Sequence, residues 1–231
     1  MSPPGRPKGE YRRAKPEGTP VNPAPRPRPR PSLAAAAAAV LIALPLLAGC
    51  VTRTPQPAPT LYRLPIASPV NVGPIHVPSG WTWQIVGTPR VPEYLDRDAL
   101  LMPQGDTGLR PLPGHRWAEP LRESVPRVLR QDLAALLGAD RVWSAPVPPG
   151  ISITRQLRLE LQALESTPDR RAVRVRARWT LIDPSGQTPP AAEQADLTVP
   201  SAGPEPDQLV SAHRLALWRL AERIAGVPAS G

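Results

Sequence analysis

The sequence predicts an α/β fold: a single domain with a mixed sheet of about five strands, a long antiparallel hairpin, and two main helices packed on the sheet. Three observations carry this reading. Period-two alternation of apolar and polar residues runs through 153–182, and apolar stripes at helical spacing occupy 117–137 and 206–225. Between them stand Pro/Gly/Asp clusters suited to turns.

The hairpin is the clearest element. From Ile153 to Leu164, Leu157, Leu159 and Leu161 alternate with Arg158, Glu160 and Gln162, which places the leucines on one face of a strand. From Ala172 to Ile182, Val173, Val175, Ala177, Trp179 and Leu181 alternate with Arg174, Arg176, Arg178 and Thr180. Pro168 and Asp169 in the segment 166–171 make the connecting turn, and Pro184-Ser185-Gly186 makes the next. Ala191 to Val199 then adds a further strand, while Val72 to Val77, Trp81 to Val86 and Ala99 to Met102 are shorter candidates.

Trp117, Leu121, Val125, Val128, Leu129, Leu133, Leu136 and Leu137 form the first helical stripe, stopped by Gly138. Pro126 interrupts it. An interior proline costs about 3 kcal/mol, so the helix is expected either to kink there or to become regular only near Ser124. The second helix is expected from about Pro206 to Ala225, with Leu209, Ala212, Ala216, Leu217, Leu220 and Ile224 inward and Gly226 and Pro228 ending it.

Ahead of the domain the composition changes. Residues 1–49 contain eight basic side chains against Glu10 and Glu17, followed by an apolar run from Leu33 to Leu47 and then Ala48-Gly49-Cys50. Fifteen residues of helix rise about 22 Å, short of a hydrocarbon core of about 30 Å, so the run fits a cleaved export signal better than a membrane span. Leu47, Ala48 and Gly49 before Cys50 look like a bacterial lipobox, which implies cleavage after Gly49 and covalent N-acyl and S-diacylglycerol lipid on Cys50. The basic region is long for a leader, and translation is expected to start near Val21. The expected division is a signal peptide at 1–49, a lipidated cysteine with a Pro-rich tether at 50–60, the domain at 61–227 and a tail at 228–231. At 3.1 Å per residue, the polyproline-like tether would reach about 30 Å. Val51, rather than Asp, after the cysteine favours the outer membrane.

Removing the leader also removes the basic character. The whole chain is +9, but the part from Cys50 onward holds 20 Arg against 17 Asp plus Glu, and every Lys lies in the leader. Nucleic-acid binding thereby loses its main support. The only cysteine, Cys50, is committed to lipid, so the fold must rely on its core rather than on an intrachain disulfide.

Three segments together resemble the ABC-type transport auxiliary lipoprotein family: Val91-Pro92-Glu93-Tyr94-Leu95-Asp96-Arg97, Trp117-Ala118-Glu119-Pro120-Leu121, and the Arg155 to Asp183 hairpin followed by a Leu/Ala-rich helix. The resemblance covers residues 50–226 and extends to the paraquat-inducible-operon lipoproteins. It implies a non-catalytic component of a lipid-trafficking ABC system, lipid-anchored at the periplasmic face of the outer membrane. The implied partner is a mammalian-cell-entry (MCE) domain protein spanning the periplasm and carrying lipid between the inner and outer membranes. The symmetry of MCE assemblies also implies a homo-oligomeric ring. The alternative is a structural or assembly lipoprotein of another envelope machine, such as a secretion pore or surface-polymer exporter.

Tyr94, Leu95, Asp96 and Arg97 are the candidate partner-binding residues, Tyr and Arg being favoured at binding hot spots. The same four also suit a structural turn, with Tyr94 and Leu95 inward and Asp96 paired to an arginine. Arg174, Arg176 and Arg178 fit either a surface for lipid headgroups or an acidic partner, or a solvated strand face balanced by acids. Trp81 and Trp83 fit either an apolar patch or the core. His76, His115 and His213 lack metal-ligand spacing, no Gly-x-Ser-x-Gly elbow or phosphate-binding glycine loop occurs, and Glu119, Glu123 and Asp132 are expected on a solvated helix surface. No catalytic residue, metal site or cofactor is therefore expected.

Overall fold

A computed structural model describes residues 57–69, 80–105 and 107–226. The leader, Leu47, Ala48, Gly49, Cys50, most of the tether, the 72–77 strand candidate and the 228–231 tail lie outside the described residues.

The elements in chain order are β1 (Thr60–Tyr62), β2 (Trp83–Ile85), β3 (Ala99–Gln104), β4 (Gly108–Trp117), α1 (Leu121–Leu137), β5 (Val142–Ser144), β6 (Arg155–Ser166), β7 (Ala172–Ile182), β8 (Ala191–Pro200) and α2 (Pro206–Ala225). A short 3-10 turn, Ala139–Arg141, joins α1 to β5. The strands form two sheets rather than one, with orders β1-β4-β3 and β5-β2-β6-β7-β8. The larger is mixed: β5, β2 and β6 run parallel, and β6, β7 and β8 antiparallel. The α/β class and the two main helices follow the sequence reading.

The β6–β7 hairpin carries the core. Val173, Val175, Ala177 and Trp179 are almost completely buried, as are Leu157 and Leu161 opposite them. Leu161 and Leu164 are three apart, a spacing that in a regular strand would send them to opposite faces. Between Leu161 and Ala163 the register shifts, so that Leu161 pairs with Ala177 and Leu164 with Val175. The extra residue of this bulge keeps both leucines inward. Helix α2 lies over β6, β7 and β8, and α1 packs against α2 and β5.

Helix α2 has the expected boundaries. Pro206 occupies the first turn, the Gln208 side chain accepts the Glu205 amide at 3.3 Å, and Gly226 closes the helix in the left-handed region at φ 72°. Its buried Leu209, Leu217, Trp218 and Leu220 each contribute about 1.5–3 kcal/mol by leaving water.

The start of the first helix differs from the expectation. Trp117 ends β4 instead of beginning the helical stripe, and α1 runs from Leu121 through Pro126 without interruption. Pro126 sits in the second turn. The carbonyl deprived of its amide partner is that of Arg122, an exposed residue near the helix end where water substitutes.

Strands β1, β4 and β5 have no counterpart in the sequence reading. Strand β4 contains Pro111 and Pro113, which argue against a central strand. Its pairing explains the exception: β1 meets only His115, Arg116 and Trp117, leaving the proline-containing part bonded on the β3 side alone. Thr60 pairs with His115, and the Tyr62 hydroxyl meets His115 Nδ1 at 3.0 Å, so the final residue assigned to the tether is already part of the fold.

Candidate docking surface

Two overlapping turns shape the 92–96 segment: the Leu95 amide donates to the Pro92 carbonyl at 2.9 Å, and the Asp96 amide to Glu93 at 3.1 Å. Coiling at this pitch sends successive side chains in different directions. Leu95 turns inward, only 4% exposed, against a contact zone shared with Trp117, Leu121 and Leu164. Tyr94 turns outward at 37% exposure, and Arg97 is exposed.

The segment is fastened at its carboxy-terminal end. Arg122 Nη1 of α1 donates to Asp96 Oδ2 at 2.5 Å, and Arg116 Nη1 of β4 to Asp98 Oδ2 at 2.6 Å. The Trp117 amide adds a 2.6 Å bond to the Asp98 carbonyl. Of the four candidate residues, Leu95 and Asp96 thus hold the turn, whereas Tyr94 and Arg97 face outward. The structural-turn alternative describes Leu95 and Asp96 well, but it does not extend to Tyr94.

Tyr94 borders a groove of about 550 Å³ whose other walls include Leu109, Glu165, Thr167 and Arg174. Leu109 is 39% exposed. Partial burial raises the Tyr94 phenol pKa, the Glu165 carboxylate raises it further, and Arg176 opposes the change. The phenol therefore stays protonated at neutral pH and remains a hydrogen-bond donor beside an acid, an arginine and an exposed leucine. This combination suits recognition of a protein surface.

The other candidates separate cleanly. Trp83 is in the core; Trp81 is 43% exposed and lies under the Arg155 guanidinium, 4.5 Å from its ring centroid. Arg174 and Arg176 converge on Asp196, whose carboxyl they hold down to about 2. The balanced strand face is thus found for these two, though no ion pair to Arg178 occurs among the described residues.

Asp132 overturns the expectation of a solvated helix acid. It is 1% exposed and accepts two bonds from Arg214 of α2, Nη2 to Oδ1 at 2.5 Å and Nη1 to Oδ2 at 2.8 Å. Arg214 also donates to the carbonyls of Pro65, Ile66 and Ala67 at 2.7, 3.3 and 3.0 Å. Burial pushes the Asp132 carboxyl up to about 6 despite the opposing Arg214. Glu119 pairs with Arg127. Next to this network His213 is fully buried, its Nδ1 2.8 Å from the Leu209 carbonyl and its ring edge-on to Trp117; burial holds it down to about 4.

A sequence signal for this network existed. Asp132 continues the 125-128-129-133-136 stripe, and Arg214 lies on the 210-213-217-221 stripe of the other helix. A charged residue on an apolar stripe needs a buried partner. The partner is 82 residues away, which no local pattern reveals.

Comparison with solved structures finds the same fold in a protein of uncharacterized function, with a TM-score of 0.58 at 20% identity, covering 74% of this chain and 98% of that one. A Xanthomonas campestris protein gives a TM-score of 0.56 at 16% identity, covering 72% of this chain and 93% of that one. A dodecameric PelC from Paraburkholderia phytofirmans, at 19% identity and covering 64% and 91% of the two chains, reaches only 0.34. No curated protein matches the chain. Residues 62–225 match the family described as the ABC-type transport auxiliary lipoprotein component, from the strand that begins the domain to the last turn of α2, and the chain belongs to that family.

Proposed function

We propose that this chain is an accessory lipoprotein of an ABC/MCE-type transport system that moves lipid between the inner and outer membranes, anchored through Cys50 to the periplasmic face of the outer membrane and acting by docking rather than catalysis. The family match over 62–225 carries the reading. Two features support it: the lipobox-like Leu47-Ala48-Gly49-Cys50, and the outward Tyr94 and Arg97 on a turn fastened through Asp96 and Asp98. Among the described residues no helix is long and apolar enough to cross a membrane, and an acyl anchor supplies attachment without one. Anchoring confines the domain to one surface and raises its effective concentration at a partner arriving there.

The anchor and the docking surface are tested separately. Cys50→Ala should abolish palmitate labelling and leave the precursor uncleaved; normal labelling of that variant overturns the anchor. A photocrosslinker at position 94 or 97 should capture an MCE-domain protein in intact envelopes. Correctly folded protein that yields no such adduct overturns the docking role of this turn.

A further inference from the structure

The arginine row on β7 is divided in a way that points to a second site. Arg174 and Arg176 both pair with Asp196, but Arg178, two residues on, has no ion pair among the described residues. Its register partners are Glu160 on β6 and Gln194 on β8. Arg158, also without an ion pair, pairs with Thr180, which makes it the diagonal neighbour of Arg178 at about 7–8 Å. A third arginine without an ion pair comes from the segment following β2. Arg90 bridges to Glu160 in the sheet, its amide donating to the Leu159 carbonyl at 3.3 Å and its own carbonyl accepting the Leu161 amide at 2.8 Å.

All three arginines line one concavity of about 490 Å³ on the sheet face opposite α2, with Gly87 at its rim and Glu160 and Thr180 among its walls. Three guanidinium groups against one carboxylate leave a local charge of +2. Placing like charges on neighbouring strands is unfavourable unless something compensates. A volume in the range of small-molecule sites, with a mainly polar lining, suits a compact hydrophilic anion better than an acyl chain. Arginine forks arriving from three adjacent chain segments match the several oxygens of a tetrahedral anion, which each can bond in bidentate fashion.

We infer that Arg90, Arg158 and Arg178 form a binding site for a phosphate group, of the kind carried by a phospholipid headgroup or by a small soluble phosphate. The site is separate from the Tyr94 turn and does not depend on the docking reading.

The test is an amide-resolved NMR titration of the full chain in neutral detergent micelles at fixed ionic strength, with inorganic phosphate, glycerol 3-phosphate, micelle-dispersed short-chain phosphatidylglycerol and hexaglutamate as probes. Saturable shifts at Gly87, Arg158 and Thr180 with the phosphate probes are expected. Affinity should fall at least tenfold in Arg158→Gln/Arg178→Gln and in Arg90→Gln, but hold in Arg174→Gln; dispersion of the same spectra reports whether each variant is folded. Tighter binding of phosphatidylglycerol than of glycerol 3-phosphate and inorganic phosphate assigns the site to a phospholipid headgroup, and equal or weaker binding of the lipid assigns it to a soluble phosphate. No saturable shift with any phosphate probe, equal binding of hexaglutamate, or shifts unchanged in both folded arginine variants would overturn the site.

Discussion

Arg214 and Asp132 form a two-point ion pair inside the helix pair, at 2.5 and 2.8 Å, with side chains 3% and 1% exposed. The guanidinium also gathers three successive carbonyls, Pro65 to Ala67, onto the same helix. A buried pair offsets its own desolvation only while both members are present. Asp132→Leu or Arg214→Met alone should therefore cost about 3–5 kcal/mol. The double variant should recover part of this loss in a denaturant cycle. Full recovery is not expected, because the three carbonyls lose their donor; faster amide exchange or proteolysis around residues 63–69 would register that loss in the double variant.

His213 and Asp132 titrate against each other. The unfolded histidine, with its ordinary value near 6.5, binds a proton that the buried one, held to about 4, refuses; its contribution is present above pH 6.5 and lost on acidification towards 4. Asp132 has the opposite sign. Its folded carboxyl, near 6, binds a proton that the unfolded one releases down to about 3.8, so its contribution grows as pH falls from 6 to 4. Each shift corresponds to about 3 kcal/mol, and the two largely offset. In His213→Leu, urea unfolding should show stability rising relative to the parent as pH is lowered from 6.5 to 4. A parallel pH profile in variant and parent would contradict this.

Two buried tryptophans provide a matched comparison. Trp218 Nε1 donates to Glu222 Oε1 at 3.0 Å, whereas no hydrogen-bond partner is found for Trp179 Nε1; the side chains are 0% and 1% exposed. Replacement by Phe removes similar area from each. Trp218→Phe also withdraws a donor from a buried carboxylate, at a cost of about 1.5–3 kcal/mol for a charged hydrogen bond. Trp179→Phe should therefore be milder by about that amount in thermal or chemical unfolding.

The β6 bulge predicts an unusual deletion. Removing Gln162 leaves Leu161 and Leu164 two positions apart, so regular pairing with Ala177 and Val175 keeps both leucines and Ser166 inward, and only Ala163 turns to the opposite face. The deletion should therefore cost on the order of 1 kcal/mol in urea unfolding, the burial of the Ala163 methyl; a loss of about 2–5 kcal/mol, as for removing Leu164 from the core, would contradict this pairing. Gln162→Ala, which keeps the extra residue, should stay within about 1 kcal/mol of the parent, separating the backbone effect from the side chain.

The hairpin and α2 were legible because alternation and stripe length are local properties, written in Val173 to Leu181 and Leu209 to Ile224. Strand β4 was not. Gly108, Pro111, Pro113 and Gly114 are residue types that weaken or interrupt strands, and the short reach of β1 makes them tolerable here. Strands β1 and β5 span three residues each, too few for a period to show. At the candidate docking turn, the sequence could not tell Leu95 and Asp96, which hold it, from Tyr94 and Arg97, which face outward. That division depends on Arg122 and Arg116, supplied by later elements. The arginine triad was half visible: Arg158 and Arg178 alternate in their strands, but Arg90 joins them only through the parallel bridge to Glu160.

The grip of Arg214 on Pro65, Ile66 and Ala67 has a mechanical meaning. Traction applied from the amino-terminal side enters at β1, which is held to β4 over just three residues, and then reaches three carbonyls fixed to a side chain of the last helix. The pull is thus shared with the α1–α2 pair through Asp132 instead of peeling the small sheet open strand by strand.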